Sequence, residues 1–183
     1  METMPFLDRH LAAALAALGL ATSIALPGWD MKKRDQQTHS VFLRLLVVKS
    51  IQENTAGAQI MFQTGQKGGL SRNRREYQFN LTQVRRSLEH QHPVGVRIDG
   101  AGEIGETARA DNDYVAFLGE ENESRVKVGF QGHDGIAYLE RQHPHFDSIK
   151  RDLNRSLIEK KRIWFVWRSP RLTLEDVMIV DGD

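Results

Sequence analysis

The feature that most constrains this chain is a helical apolar pattern followed directly by a strand-like one, and it occurs twice. In "NLTQVRRSLEHQHPVGVRID", Leu81, Val84 and Leu88 recur at three- and four-residue steps, so they share one helix face. His92 and Pro93 end that pattern, and Val94, Val96 and Ile98 then alternate as the inward side of a strand. In "FDSIKRDLNRSLIEKKRIWFVWR" the helical set is Phe146, Ile149, Leu153 and Leu157, followed by Ile163, Phe165 and Trp167. Residues 84–99 lie over residues 153–168 without a gap, "RSL" falling on "RSL".

Turn-separated apolar runs precede each helix. They are "SVFLRLLVVKSI", "AGAQIMFQT" and "REYQF" in the first half, and "DYVAFLG", "SRVKVGF" and "GIAYLE" in the second. "RLTLEDVMIV" closes the chain as a strand. Strands in runs ahead of helices, instead of alternating with them, give an α+β class. The expected architecture is two small antiparallel-sheet units, each strand-strand-strand-helix-strand, preceded by an N-terminal helix. Two readings of the recurrence stay open: a tandem duplication, or two meanders that look alike once reduced to apolar patterns. The expected divisions are 1–39 for an N-terminal helix, strand and linker, 40–99 for the first unit, 100–112 for an acidic connector and 113–183 for the second unit.

The beginning of the chain supports two interpretations. "LAAALAALGLATSIALPG" has the length of an export-signal core, with Ser23 and Ala25 as small residues near a cleavage point. The preceding "METMPFLDRH" is not basic, and Phe6, Leu7, Leu11, Leu15 and Leu18 instead fit one face of a docked helix ended by Gly19. The docked helix implies a cytoplasmic protein, and the alternative is export with residues 1–25 as a signal peptide. No stretch of the main body has the length and apolarity of a membrane span.

No cysteine is present, which excludes disulfides, thiolate zinc sites and a cysteine nucleophile. "DGAGEIG" sets Gly100, Gly102 and Gly105 in the spacing of a dinucleotide loop. No helix pattern follows to offer its N-terminus to a pyrophosphate, and eight carboxylates crowd residues 99–123 against the lone Arg109. That loop is therefore not expected to bind a nucleotide, and no cofactor is expected.

Histidines concentrate in "HDGIAYLERQHPHFD". His133 and Asp134 sit beside Gly132 and Gly135, where turn chemistry explains them. His143, His145 and Asp147 are close enough in sequence to converge on a metal ion or to serve as acid and base, so a metal-assisted hydrolase is one reading of the chain. The other is non-catalytic binding or scaffolding, with nucleic acid or another protein as partner, and it rests on charge. Residues 67–86 carry six basic side chains against Glu76, and residues 150–171 carry eight against Asp152 and Glu159, although the whole chain has a net charge of only +1. Cations interleaved with aromatics suit phosphates and base faces. The expected nucleic-acid contacts are Arg72, Arg74, Arg75, Tyr77, Arg86, Arg155, Lys161 and Trp164.

Overall fold

The computed structural model describes residues 42–180, which belong to one compact unit, His39–Asp183. The expected N-terminal helix and strand, and the export alternative, lie outside the described residues. The fold is mixed sheet and helix, of the expected α+β class. The first half runs β1 (Arg44–Leu46), β2 (Val48–Glu53), β3 (Gly57–Phe62), β4 (Lys67–Ser71), α1 (Tyr77–His90), β5 (Val94–Ile98) and β6 (Ile104–Arg109). The second runs β7 (Asp111–Asp113), β8 (Val115–Asn122), β9 (Arg125–Phe130), β10 (His133–Glu140), α2 (Phe146–Glu159), β11 (Ile163–Arg168) and β12 (Thr173–Ile179).

The first half therefore has two more strands than expected and the second half, counting the expected closing strand, has one more, and the local reasons are visible. The long run "SVFLRLLVVKSI" divides at Val47, so that β1 pairs with β5 while β2 pairs with β3. "REYQF" is not a strand: α1 begins at Tyr77, a turn earlier than Asn80, which is buried and accepts a hydrogen bond from Thr107 Oγ1 at 2.8 Å. The third strand is instead "KGGLS", which contains two glycines. A Cβ at Gly68 would lie 2.8 Å from Ile104 Cγ1, and one at Gly69 would lie 2.6 Å from Glu103 Oε1. Glycine is needed here because the backbone runs against its neighbours, not because it turns. Within the expected connector, residues 104–109 are β6, paired with β5, and residues 111–113 are β7, paired with β11. Alternation of Ile104, Thr107 and Arg109 with small and acidic residues concealed that pairing.

In the second half all six strands join one sheet in the order β7-β11-β12-β10-β9-β8, antiparallel except for the β10–β12 pair. In the first half, β1-β5-β6 and β2-β3-β4 are separate sheets linked by one parallel bridge, Gly69 to Glu103. Read across that bridge, the order is β1-β5-β6-β4-β3-β2, the same sequence of positions. The registers agree as well. Leu45 faces Gly95 and Leu46 faces Val94, as Asn112 faces Trp164 and Asp113 faces Ile163. An irregularity between Arg97 and Ile98 has its counterpart between Val166 and Trp167.

Each helix covers its own sheet. Tyr77, Leu81 and Val84 of α1 join Ile60, Phe62, Val96 and Ile104 in one core, and Ile149 and Leu153 of α2 join Val128, Leu139, Phe165 and Leu174 in another. Burying such side chains contributes about 1.5–3 kcal/mol apiece. A third cluster, of Leu43, Leu45, Ala110 and Val166, lies where β1 meets β11 and β12 and connects the halves. Polar groups reinforce it: Arg97 and Arg168 both approach Glu106, at 3.3 and 4.0 Å, and Arg168 also reaches Glu175 at 3.5 Å. Among the described residues no helix is long and apolar enough to cross a membrane.

Candidate functional site

The short strand β7 ends at Asp113, and the turn after β9 returns the chain to it. Asp113 Oδ2 accepts the Gly132 N–H at 2.6 Å and lies 2.9 Å from His133 Nδ1, while Oδ1 takes the Tyr114 N–H at 2.7 Å. Burial pushes the Asp113 carboxyl up, but the bonds from His133, Gly132 and Tyr114 outweigh it and hold the group below its ordinary range. Asp113 is therefore a carboxylate, and His133 gives it the Nδ1 proton. Nε2 is the ring nitrogen left outside that bond. The ring is fixed further by edge contacts with Phe165 and Trp167, with centroids 5.5 and 5.4 Å away.

His133 opens onto a half-open cleft of about 590 Å³ between α1, the β6–β7 junction and β11. Arg86 and His90 come from the last turns of α1, His92 from the connection to β5, Arg109 and Asp111 from the junction, and Trp164 from β11. The His92 ring rests on Trp164 with centroids 4.7 Å apart, and His90 lies 5.9 Å from His92. Among the described residues Arg86 and Arg109 have no carboxylate partner within ion-pair distance. The cleft thus offers two uncompensated guanidinium groups, three imidazoles and an indole against the single carboxylate of Asp111. That composition suits a ligand carrying both phosphate and an aromatic ring.

No protein family, curated protein or solved structure matches this chain.

Of the residues expected to meet nucleic acid, Arg86 and Trp164 reach this cleft. The rest are dispersed. Arg74 is paired with Asp99 at 3.4 Å, and Arg72 bonds the Asn54 carbonyl and lies over the Tyr77 ring. Arg75 is exposed. Tyr77 is 3% exposed and cannot stack on a base; the solvent-facing aromatic of that segment is Phe79, 56% exposed. On α2, Arg155 and Lys161 both lie 3.1 Å from Glu159, whose carboxyl Lys161 and Arg155 hold below its ordinary range.

The histidine group before α2 does not form a donor set. His143 is buried against Phe42, with ring centroids 4.3 Å apart, and its Nδ1 accepts the His145 N–H at 3.1 Å. Burial, reinforced by His145, lowers its pKa to about 4, so it is neutral near pH 7. His145 and Asp147 are exposed, and Asp147 sits in the first turn of α2, where a carboxylate complements the helix dipole. Among the described residues no three histidine, aspartate or glutamate side chains are placed to hold a metal ion.

His92, Arg109 and the Asp113–His133 pair are the cleft residues that sequence reasoning missed. His133 was visible as a turn residue and Asp113 as one of many acidic ones. Nothing in their spacing signals that sheet pairing brings them together.

Proposed function

We propose that this protein binds single-stranded nucleic acid in the cleft between α1 and β11, with Arg86 and Arg109 on backbone phosphates and the His92–Trp164 pair against a base. The observation that carries this reading is the convergence of Arg86 and Trp164, which are far apart in sequence, on one cleft with Arg109 uncompensated beside them. Contacts of this kind depend on the backbone and on ring faces, so sequence preference is weak.

The same reading extends to the origin of the fold as a tandem duplication whose copies have diverged. Common element order, common strand register and left-handed residues after both helices, Gln91 at φ 54° and Lys160 at φ 55°, support it. Under that correspondence Arg86 and His90 of α1 match Arg155 and Glu159 of α2. Glu159 neutralises Arg155 in the second copy, whereas His90 leaves Arg86 available in the first. Divergence at one position thus confines the binding surface to one helix.

The test is fluorescence anisotropy of labelled single-stranded RNA and DNA at two salt concentrations. Binding that weakens with salt and is lost in Arg86→Glu/Arg109→Glu supports the proposal. Absence of binding by the folded wild type at low salt removes it and leaves a protein partner as the remaining reading.

A further inference from the structure

β7 is the last strand of its sheet, so one of its edges has no neighbouring strand. The groups on that edge follow from the pairing on the other side, because successive residues of a strand point their backbone groups to alternate sides. The Val180 N–H bonds the Arg162 carbonyl, so Arg162, Trp164 and Val166 turn toward β12, and Ile163 and Phe165 turn toward β7. Their partners in β7 are Asp113 and Asp111, while Asn112 faces Trp164. Asn112 therefore points both its N–H and its carbonyl away from the sheet, and among the described residues neither has a backbone or side-chain partner. The corresponding edge of β1 is closed: Leu45 faces Gly95 as Asn112 faces Trp164, and its N–H is taken by Asp176 Oδ2 at 2.7 Å. Glu106, at the matching register position of β6, is turned to Arg97 and Arg168 instead. Asn112 lines the cleft with Arg86, Arg109 and Trp164, so the open edge belongs to the proposed binding site.

That edge is too short to take an added peptide strand, which needs a row of such groups. β7 has three residues, and just beyond it the Tyr114 N–H and carbonyl are engaged by Asp113 Oδ1 and the Gln131 N–H. Asn112 is left with one donor and one acceptor side by side. The Watson–Crick edge of a nucleobase has the complementary form, a donor next to an acceptor.

We infer that the Asn112 main chain hydrogen-bonds the Watson–Crick edge of an unpaired base whose phosphates lie against Arg86 and Arg109. This rests on the nucleic-acid binding proposed for the same cleft. Every common base carries a donor beside an acceptor on that edge, so the contact accepts any base. It rejects a paired base, whose edge is already used. A main-chain contact thus selects single strands without reading their sequence.

The test compares oligothymidylate with the same strand carrying 3-methylthymine throughout, which keeps the phosphates and ring faces but blocks the base edge. In anisotropy titrations the full-length wild type should bind the methylated strand about tenfold more weakly, the loss of one or two net hydrogen bonds. Asn112→Ala keeps the main chain and should discriminate as the wild type does. Asn112→Pro removes the outward N–H, on which no pairing with β11 depends, and should narrow the difference to about threefold. Its fold is checked by urea unfolding, and if it does not fold, discrimination shared by the wild type and Asn112→Ala supports the inference. Equal affinity of the wild type for both strands overturns the inference and leaves the binding proposal standing. Discrimination lost in Asn112→Ala belongs to the side-chain amide, and discrimination undiminished in folded Asn112→Pro belongs to another group; either result overturns it. Failure to bind either strand removes both proposals together.

Discussion

The carboxylate of Asp176 in β12 accepts the backbone N–H of Leu45 in β1 at 2.7 Å, so a side chain of the last strand holds an edge of the first. Glu175 does the same for the Leu43 N–H at 3.2 Å. Both carboxyls are raised above their ordinary values, chiefly by burial. A carboxyl that binds its proton more tightly when folded stabilises the fold at low pH, and that contribution is lost as pH rises through the folded pKa. Asp176→Asn keeps an acceptor for Leu45 and removes the buried charge, but it loses the Oδ1 that accepts the Val177 N–H at 2.9 Å. The part of the pH dependence of stability that Asp176 contributes is expected to disappear in the variant, measured by urea unfolding across pH.

His143 has the opposite sign. Its folded pKa of about 4 lies below the ordinary 6.5, so the unfolded chain binds the proton more readily and stability falls on acidification between those values. Full protonation costs roughly 3 kcal/mol at 1.36 kcal/mol per unit. His143→Phe should flatten the unfolding free energy across pH 4–6.5. An unchanged acid limb would show that His143 is not the group responsible.

Ser87 and Ser156 occupy corresponding places in the two helices and make corresponding bonds. Ser87 Oγ accepts the Val48 N–H at 3.1 Å and donates to the His92 carbonyl at 2.6 Å. Ser156 Oγ accepts the Val115 N–H at 3.3 Å and donates to the Lys161 carbonyl at 2.7 Å. Removing either hydroxyl strands a buried donor and an acceptor. Ser87→Ala and Ser156→Ala are each expected to cost about 1–3 kcal/mol in denaturant titrations, by similar amounts.

Gly57 admits no side chain. A Cβ there would stand 1.9 Å from the Leu70 carbonyl oxygen, which is backbone and cannot rotate away. Gly57→Ala should force β3 from β4 and lower the melting temperature, with a cost of about 3 kcal/mol. Gly65→Ala meets no neighbour but is strained by its φ of 85°, so a smaller loss, about 1 kcal/mol, is expected.

Charge reversal separates the cleft from the other basic surface. Each phosphate contact removed should reduce the log–log salt slope by about 0.7 for a single strand. Arg86→Glu should produce that reduction in anisotropy titrations, and Arg75→Glu, outside the cleft, should not. Glu159→Gln, which removes the carboxylate 3.1 Å from Lys161, should add weak salt-sensitive binding at the end of α2.

Helix faces and most strands could be read from the chain because their periods are local: Leu81, Val84 and Leu88, or Val94, Val96 and Ile98, need only their own neighbours to declare an inward side. Tertiary structure decided what depends on partners distant in sequence. "KGGLS" becomes a strand because β3 pairs with it along its length, and the acidic run after Ile98 becomes β6 and β7 because it pairs with β5 and β11. Tyr77 turned inward and Phe79 outward, which composition cannot distinguish. Arg155 and Lys161 lost their free charge to Glu159, while Arg86 kept its own. Asp113 and His133 became a pair only when β7 and the β9–β10 turn met at the sheet edge, since a hydrogen bond is set by distance in space and leaves no period in the sequence.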